Sequence, residues 1–124
     1  MKDEAKRDVT TYSWDAIPHE HLNESLSRKI ITGDRTMIAH IFLKKGCIVP
    51  AHSHDNEQMT YIISGALLFT VNGREIMLKA GDVMHIPSNV VHAAVAVEDT
   101  LDMDVFTPPR QDWLDKTDSY LRGK

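Results

Sequence analysis

The chain has 124 residues, 42% of them hydrophobic, and a formal net charge of −4 with acids and bases interspersed. That length predicts one domain, and the charge pattern lacks the basic footprint of a nucleic-acid-binding protein. No apolar run reaches the roughly eighteen residues needed to span a bilayer, no apolar signal core follows Met1, and one cysteine, Cys47, excludes an internal disulfide framework and fits a reducing compartment, so the expected location is the cytoplasm.

Residues 1–8 are charged and expected to fray. Residues 9–28 are read as an N-terminal arm, in which Val9, Tyr12, Trp14 and Ile17 lack a place inside a minimal barrel. His19 and His21 have i, i+2 spacing but polar surroundings, and are read as surface residues. Strands then arrive at a steady rhythm: Ser27–Thr32, Thr36–Leu43, Met59–Ile63, Leu67–Val71, Arg74–Leu78, Asp82–Ile86, Val91–Val97 and Thr100–Phe106. Gly33-Asp34, Lys45-Gly46, Ser64-Gly65, Ala80-Gly81 and Pro87-Ser88-Asn89 separate them, and Asn72-Gly73 between two apolar runs signals a tight hairpin. Many short strands at this spacing predict an all-β sandwich or barrel, with the barrel over residues 29–107. Thr107 and Pro108 read as the cap and first residue of a helix over 108–121, with Trp113, Leu114, Thr117, Tyr120 and Leu121 on one face, packed on the outside of the barrel. Cys47 reads as a small buried hydrophobe.

The chemistry concentrates in Gly46-Cys47-Ile48-Val49-Pro50-Ala51-His52-Ser53-His54-Asp55-Asn56-Glu57-Gln58, an extended stretch. Side chains alternate along a strand, so His52 and His54 point the same way, and Gln58, beyond a short turn, opens the next strand. His92, between apolar runs, can reach the same interior. Glu57 alternates to the opposite face. Imidazoles converging with one oxygen donor suit a divalent transition metal, and ligand type alone does not choose among Mn, Fe, Co, Ni, Cu and Zn. Three histidines and a glutamine are neutral ligands, so the ion keeps its full 2+ charge for Lewis-acid work on an oxyanion. Binding needs neutral imidazoles, so affinity is expected to fall below about pH 6.5, the ordinary histidine value. On the last strand Asp102, Asp104 and Phe106 share one face. Parity alone does not say whether that face is buried. Arg110, past the Pro-Pro turn, offers a fork suited to carboxylates.

The spacing Gly46-x5-His52-x-His54-x3-Gln58-x6-Gly65, and then Gly81-x5-Pro87-x4-His92, resembles the two motifs of the cupins, with the fifteen intervening residues of a short spacer. Gln58 stands where that family usually carries Glu; Asn89 and Ala96 depart at positions that hold no ligand. The resemblance implies a double-stranded β-helix (jelly-roll) barrel with a short C-terminal helix. The run Asp104-x-Phe106-x3-Arg110, followed by Asp112-Trp113-Leu114, is similar to the C-terminal segment of KdgF-type cupins, the pectin degradation proteins. That likeness implies a metal held by His52, His54, Gln58 and His92, with Asp104 as proton carrier, Phe106 as pocket wall and Arg110 as carboxylate anchor. It further implies an enzyme that opens 4,5-unsaturated monouronates and ketonises them to linear 5-keto-4-deoxyuronate. A homodimer is expected, in which the Val9–Ile17 arm adds to a neighbour's sheet edge and buries Tyr12, Trp14 and Ile17, as the dimers common in that family also imply. The alternatives on the same scaffold are a cupin dioxygenase and a non-catalytic module that binds a sugar acid or effector.

Overall fold

Residues 8–122 are described by the structure, a computed structural model. Ten strands follow in chain order: β1 (Glu20–Asn23), β2 (Leu26–Thr32), β3 (Met37–Leu43), β4 (Ile48–His52), β5 (Glu57–Ser64), β6 (Ala66–Val71), β7 (Arg74–Lys79), β8 (Val83–Ile86), β9 (His92–Ala96) and β10 (Thr100–Thr107). They form a six-stranded sheet ordered β1-β2-β3-β10-β5-β8 and a four-stranded sheet ordered β4-β9-β6-β7. This is the jelly-roll arrangement that the resemblance to the cupins implied.

Period-two alternation decides which side chains fill the space between the sheets. Met37, Ala39, Ile41 and Leu43 on β3 are buried. So are Gln58, Thr60 and Ile62 on β5, and Thr100, Asp102, Asp104 and Phe106 on β10. Antiparallel pairing sets Gln58 opposite Phe106, Thr60 opposite Asp104 and Ile62 opposite Asp102. Apolar and polar side chains therefore share the interior, with Gln58, Thr60, Asp104 and Asp102 turned inward among Met37, Ala39, Ile41 and Ile62. On the other sheet, β4 meets β9 with His52 opposite His92, after a register shift between Val49 and His52. Two turns depend on glycine. Asn72 and Gly73 both take positive φ, 52° and 75°, as a two-residue hairpin requires. At Gly65, φ is 90°, and a β-carbon there would run into the Asp99 carbonyl and Thr100.

Both ends of the chain depart from the sequence reading. The fraying expected of residues 1–8 lies, Asp8 apart, outside the described residues. Within 9–28 only the first part is an arm: it holds a 3₁₀ turn at Trp14–Ala16, whose Trp14 ring stacks on His40 at 3.7 Å, and Lys29 Nζ donates to the Trp14 carbonyl. The rest is β1 and the start of β2, so the sheet begins at Glu20 rather than at residue 29. An edge strand with a single wholly buried residue, Leu22, carries too little apolar periodicity to announce itself. At the other end α1 spans only Gln111–Leu114, followed by a 3₁₀ turn at Ser119–Leu121, not a helix over 108–121. Pro108 precedes Pro109, which disfavours helical backbone at Pro108, and Lys116, at φ 59°, ends the first turn. Nor does this tail lie on the outside: Trp113 and Leu121 are buried in the core, and Tyr120 lines the same cavity as His52 and His92.

Candidate metal centre

The two strand systems bring His52, His54 and His92 together, with one ligand atom from each lying within 4.8 Å of the others. Their rings share one arrangement. The Nδ1 of His52 is 2.8 Å from the Pro50 carbonyl, that of His92 is 2.8 Å from the Val90 carbonyl, and that of His54 is 3.1 Å from the Asn56 carbonyl. A carbonyl only accepts, so each Nδ1 carries the proton and each Nε2 keeps its lone pair. Such backbone anchors fix tautomer and ring direction, as they do for metal-bound histidines. Burial holds His52 and His54 down to about 4 and also lowers His92, so all three are neutral near neutral pH.

Two observations show that these residues fit a cation. His92 Nε2 is buried without a hydrogen-bond partner, a costly condition for an acceptor. The Oε1 of Gln58 lies 3.1 Å from His54 Nε2. The proton of His54 is spent on Asn56, so these two atoms face each other lone pair to lone pair, and a cation held by both would relieve that repulsion. The direction of Gln58 is itself determined. Thr60 Oγ1 donates to Asp104 Oδ1 at 2.9 Å, so it must accept from Gln58 Nε2, at 2.8 Å, and the amide oxygen turns toward the histidines. Gln58 is 5% exposed, whereas Glu57 faces solvent and pairs with His85 at 2.7 Å.

Both Asp102 and Asp104 point inward, at 5% and 6% exposure. Burial raises both. Asp102, next to the Asp104 charge, rises furthest, because two buried carboxylates side by side do not both ionise. Thr60 and Arg110 oppose the rise at Asp104. Phe106 is buried, with its ring 5.8 Å from that of His54. Arg110 is 2% exposed, held with its Cζ 5.1 Å from the Phe106 ring and 4.8 Å from that of Trp113. Asn56 fixes its loop by donating from Nδ2 to the Pro108 carbonyl at 2.6 Å. The fork of Arg110 is not free, however. Its Nε donates to Asp112 Oδ1 at 3.0 Å and its Nη2 to Asp112 Oδ2 at 2.8 Å.

The tail supplies residues that the sequence reading did not place in the site. Tyr120 stacks on His52 at 4.5 Å and accepts from Arg110 Nη2 at 2.9 Å. Its segment is pinned by Arg28, which is wholly buried and donates to Asp118 Oδ2 at 2.6 Å and to Glu20 Oε1 at 3.0 Å. Arg122 ties Glu20 to Asp118 from outside. His19 and His21, by contrast, are exposed and stand away from the centre, stacked beside Phe42.

The chain is similar in sequence and fold to known proteins. The cupin domain matches residues 39–107. A pectin degradation protein, KdgF, of Dickeya dadantii is 34% identical over 103 residues, which is 81% of this chain and 94% of that protein. The solved structure of KdgF from a Halomonas species superposes with a TM-score of 0.79 at 27% identity, covering 84% of this chain and 99% of that one. An RmlC-like cupin of Shewanella frigidimarina gives 0.80 at 26% identity, covering 86% and 96%. With its two facing sheets and its histidine triad at the strand ends, the chain belongs to the cupin family and, within it, resembles KdgF.

Proposed function

We propose that the protein opens the ring of 4,5-unsaturated monouronates and ketonises the product to linear 5-keto-4-deoxyuronate. The observation that carries this reading is that Asp104, Phe106 and Arg110 line the same cavity as His52, Gln58 and His92, in a chain similar to a pectin degradation protein. His52, His54, Gln58 and His92 would hold a divalent transition metal, and such an ion supplies Lewis-acid stabilisation of a developing oxygen anion.

The remaining steps belong to the chain's own groups. Arg110 binds the uronate carboxylate, and Phe106 forms the wall against which the ring is seated. Ring opening removes the proton of the anomeric hydroxyl, breaks the bond between carbon 1 and the ring oxygen, and leaves an aldehyde and an enolate. Ketonisation returns one proton to carbon 4 and leaves a ketone at carbon 5, so atoms balance without any co-reactant. Asp104 takes the first proton and delivers the second. Burial raises its proton affinity above that of an ordinary carboxylate, the direction a proton carrier needs.

Asp104→Asn tests this. The asparagine oxygen still accepts from Thr60, so metal content should stay intact while turnover falls at least a hundredfold. A variant with undiminished turnover would remove Asp104 from the mechanism. The same reading includes a homodimer, in the cytoplasm. The outer face of the six-stranded sheet leaves Met59, Ile63 and Val83 exposed at 47%, 37% and 58%, and a second copy would cover them; light scattering at micromolar concentration reads the mass.

A further inference from the structure

The guanidinium of Arg110 has five donor hydrogens. One on Nε and one on Nη2 go to Asp112, and the other on Nη2 goes to Tyr120. These bonds use the bidentate edge of the fork and leave Nη1. Arg110 therefore offers an incoming carboxylate one nitrogen, while a carboxylate has two oxygens to satisfy. The second donor is already in place. Tyr120 Oη accepts from Arg110 Nη2, so the hydrogen of the phenol is not spent on that bond. The ring lies against His52, with centroids 4.5 Å apart, and lines the same cavity as Asp104 and Phe106.

The position of Tyr120 is built rather than incidental. On either side of it, Asp118 is locked to the buried Arg28 at 2.6 Å, and the Leu121 carbonyl accepts from Asn23 Nδ2 at 2.9 Å. Leu121 itself is 6% exposed in the core. A segment held at both flanks presents the phenol at low entropic cost.

We propose that Tyr120 and Nη1 of Arg110 form a carboxylate clamp beside the three-histidine site, the phenol donating to one oxygen and Nη1 to the other. The proposal rests on the reading that the site takes a uronate, and deepens it. Asp112 is then a positioning residue: it occupies the wide edge of the guanidinium and turns the single remaining nitrogen to the ligand.

The test uses the full-length, metal-reconstituted protein and unreactive probes, galacturonate and its neutral counterpart galactose, titrated calorimetrically. Wild type should bind galacturonate in preference to galactose. Tyr120→Phe, which keeps the ring on His52, should weaken galacturonate about tenfold, as expected for a lost hydrogen bond to a charged group, and leave galactose, metal content and the thermal midpoint unchanged. A galacturonate loss below threefold, or no preference in wild type, overturns the clamp. A crystal structure with galacturonate separates direct contact from an effect through Arg110. A Tyr120 Oη within hydrogen-bond reach of a carboxylate oxygen supports the clamp, and one beyond about 3.5 Å overturns it. If wild type binds galacturonate through this pair yet does not turn over the unsaturated monouronate, the proposed reaction fails and the clamp stands.

Discussion

Thr60 shows how a residue with no place among the candidate ligands can orient one of them. It stands opposite Asp104 across β5 and β10, and its hydroxyl can donate to only one group. Because it donates to Asp104, it accepts from Gln58 and fixes the amide oxygen toward His54. Glu57, one residue earlier, is directed to solvent and to His85. Gln58→Ala should therefore lower metal affinity by about tenfold or more, the scale of losing a ligand or its support, whereas Glu57→Ala should leave it within about twofold in a metal titration. Inverted results would make Glu57 the ligand. The histidines and the inward Gln58 were legible because their spacing combines with strand parity. Thr60 and Asp112 were not, since each acts by a hydrogen bond to a neighbour, and spacing carries no signal for that. Sequence alone left open whether Asp102 and Asp104 were buried; the structure buries both, because they alternate in phase with Phe106 and Thr100. The fork of Arg110 needed the structure most. The sequence shows a guanidinium, but not that Asp112, two residues on, already occupies it.

At the scale of elements, the segment from Arg110 to Arg122 is attached by side chains rather than by strand pairing. Its deepest tie is Arg28 to Asp118, both side chains at 0% exposure. Removing one partner of a buried ion pair strands the other charge, at a cost of about 3–5 kcal/mol. Asp118→Ala should thus lower the unfolding free energy in urea by about that amount and loosen Tyr120 from His52. A loss below about 1 kcal/mol would show that the pair does not anchor the segment. The strands from β5 to β10 were readable because apolar runs with period-two alternation, as on β5 and β10, are separated by turn residues. The tail was read as a helix because Trp113, Tyr120 and Leu121 fall at helical spacing. What turns it back into the core instead is a left-handed Lys116 and an ion pair between residues 90 apart in sequence, a pairing that no local pattern announces.

For the whole molecule, the histidines tie stability and metal loading to pH. His52 and His54 titrate at about 4 in the folded protein and at about 6.5 unfolded. Their folded values are depressed, so the stability linked to their neutral forms is present above about pH 6.5 and is lost as pH falls through about 4. The metal-free protein should show a urea midpoint that declines across that window. With all three imidazoles held below the ordinary value, metal affinity should begin to fall at a lower pH than the 6.5 that ordinary imidazoles would imply. An affinity that drops tenfold between pH 7 and 6 would mean that the site is not desolvated as described. The central claim is metal-dependent ring opening without oxygen, and one assay addresses it: metal-reconstituted protein is mixed with 4,5-unsaturated monouronate in oxygen-free buffer, and the loss of the ring double bond and the growth of the carbon-4 methylene are followed by nuclear magnetic resonance. The expected result is rapid conversion to the linear ketone that disappears on chelation and in His92→Ala. Conversion no faster than in buffer alone, or conversion that needs oxygen, would contradict it.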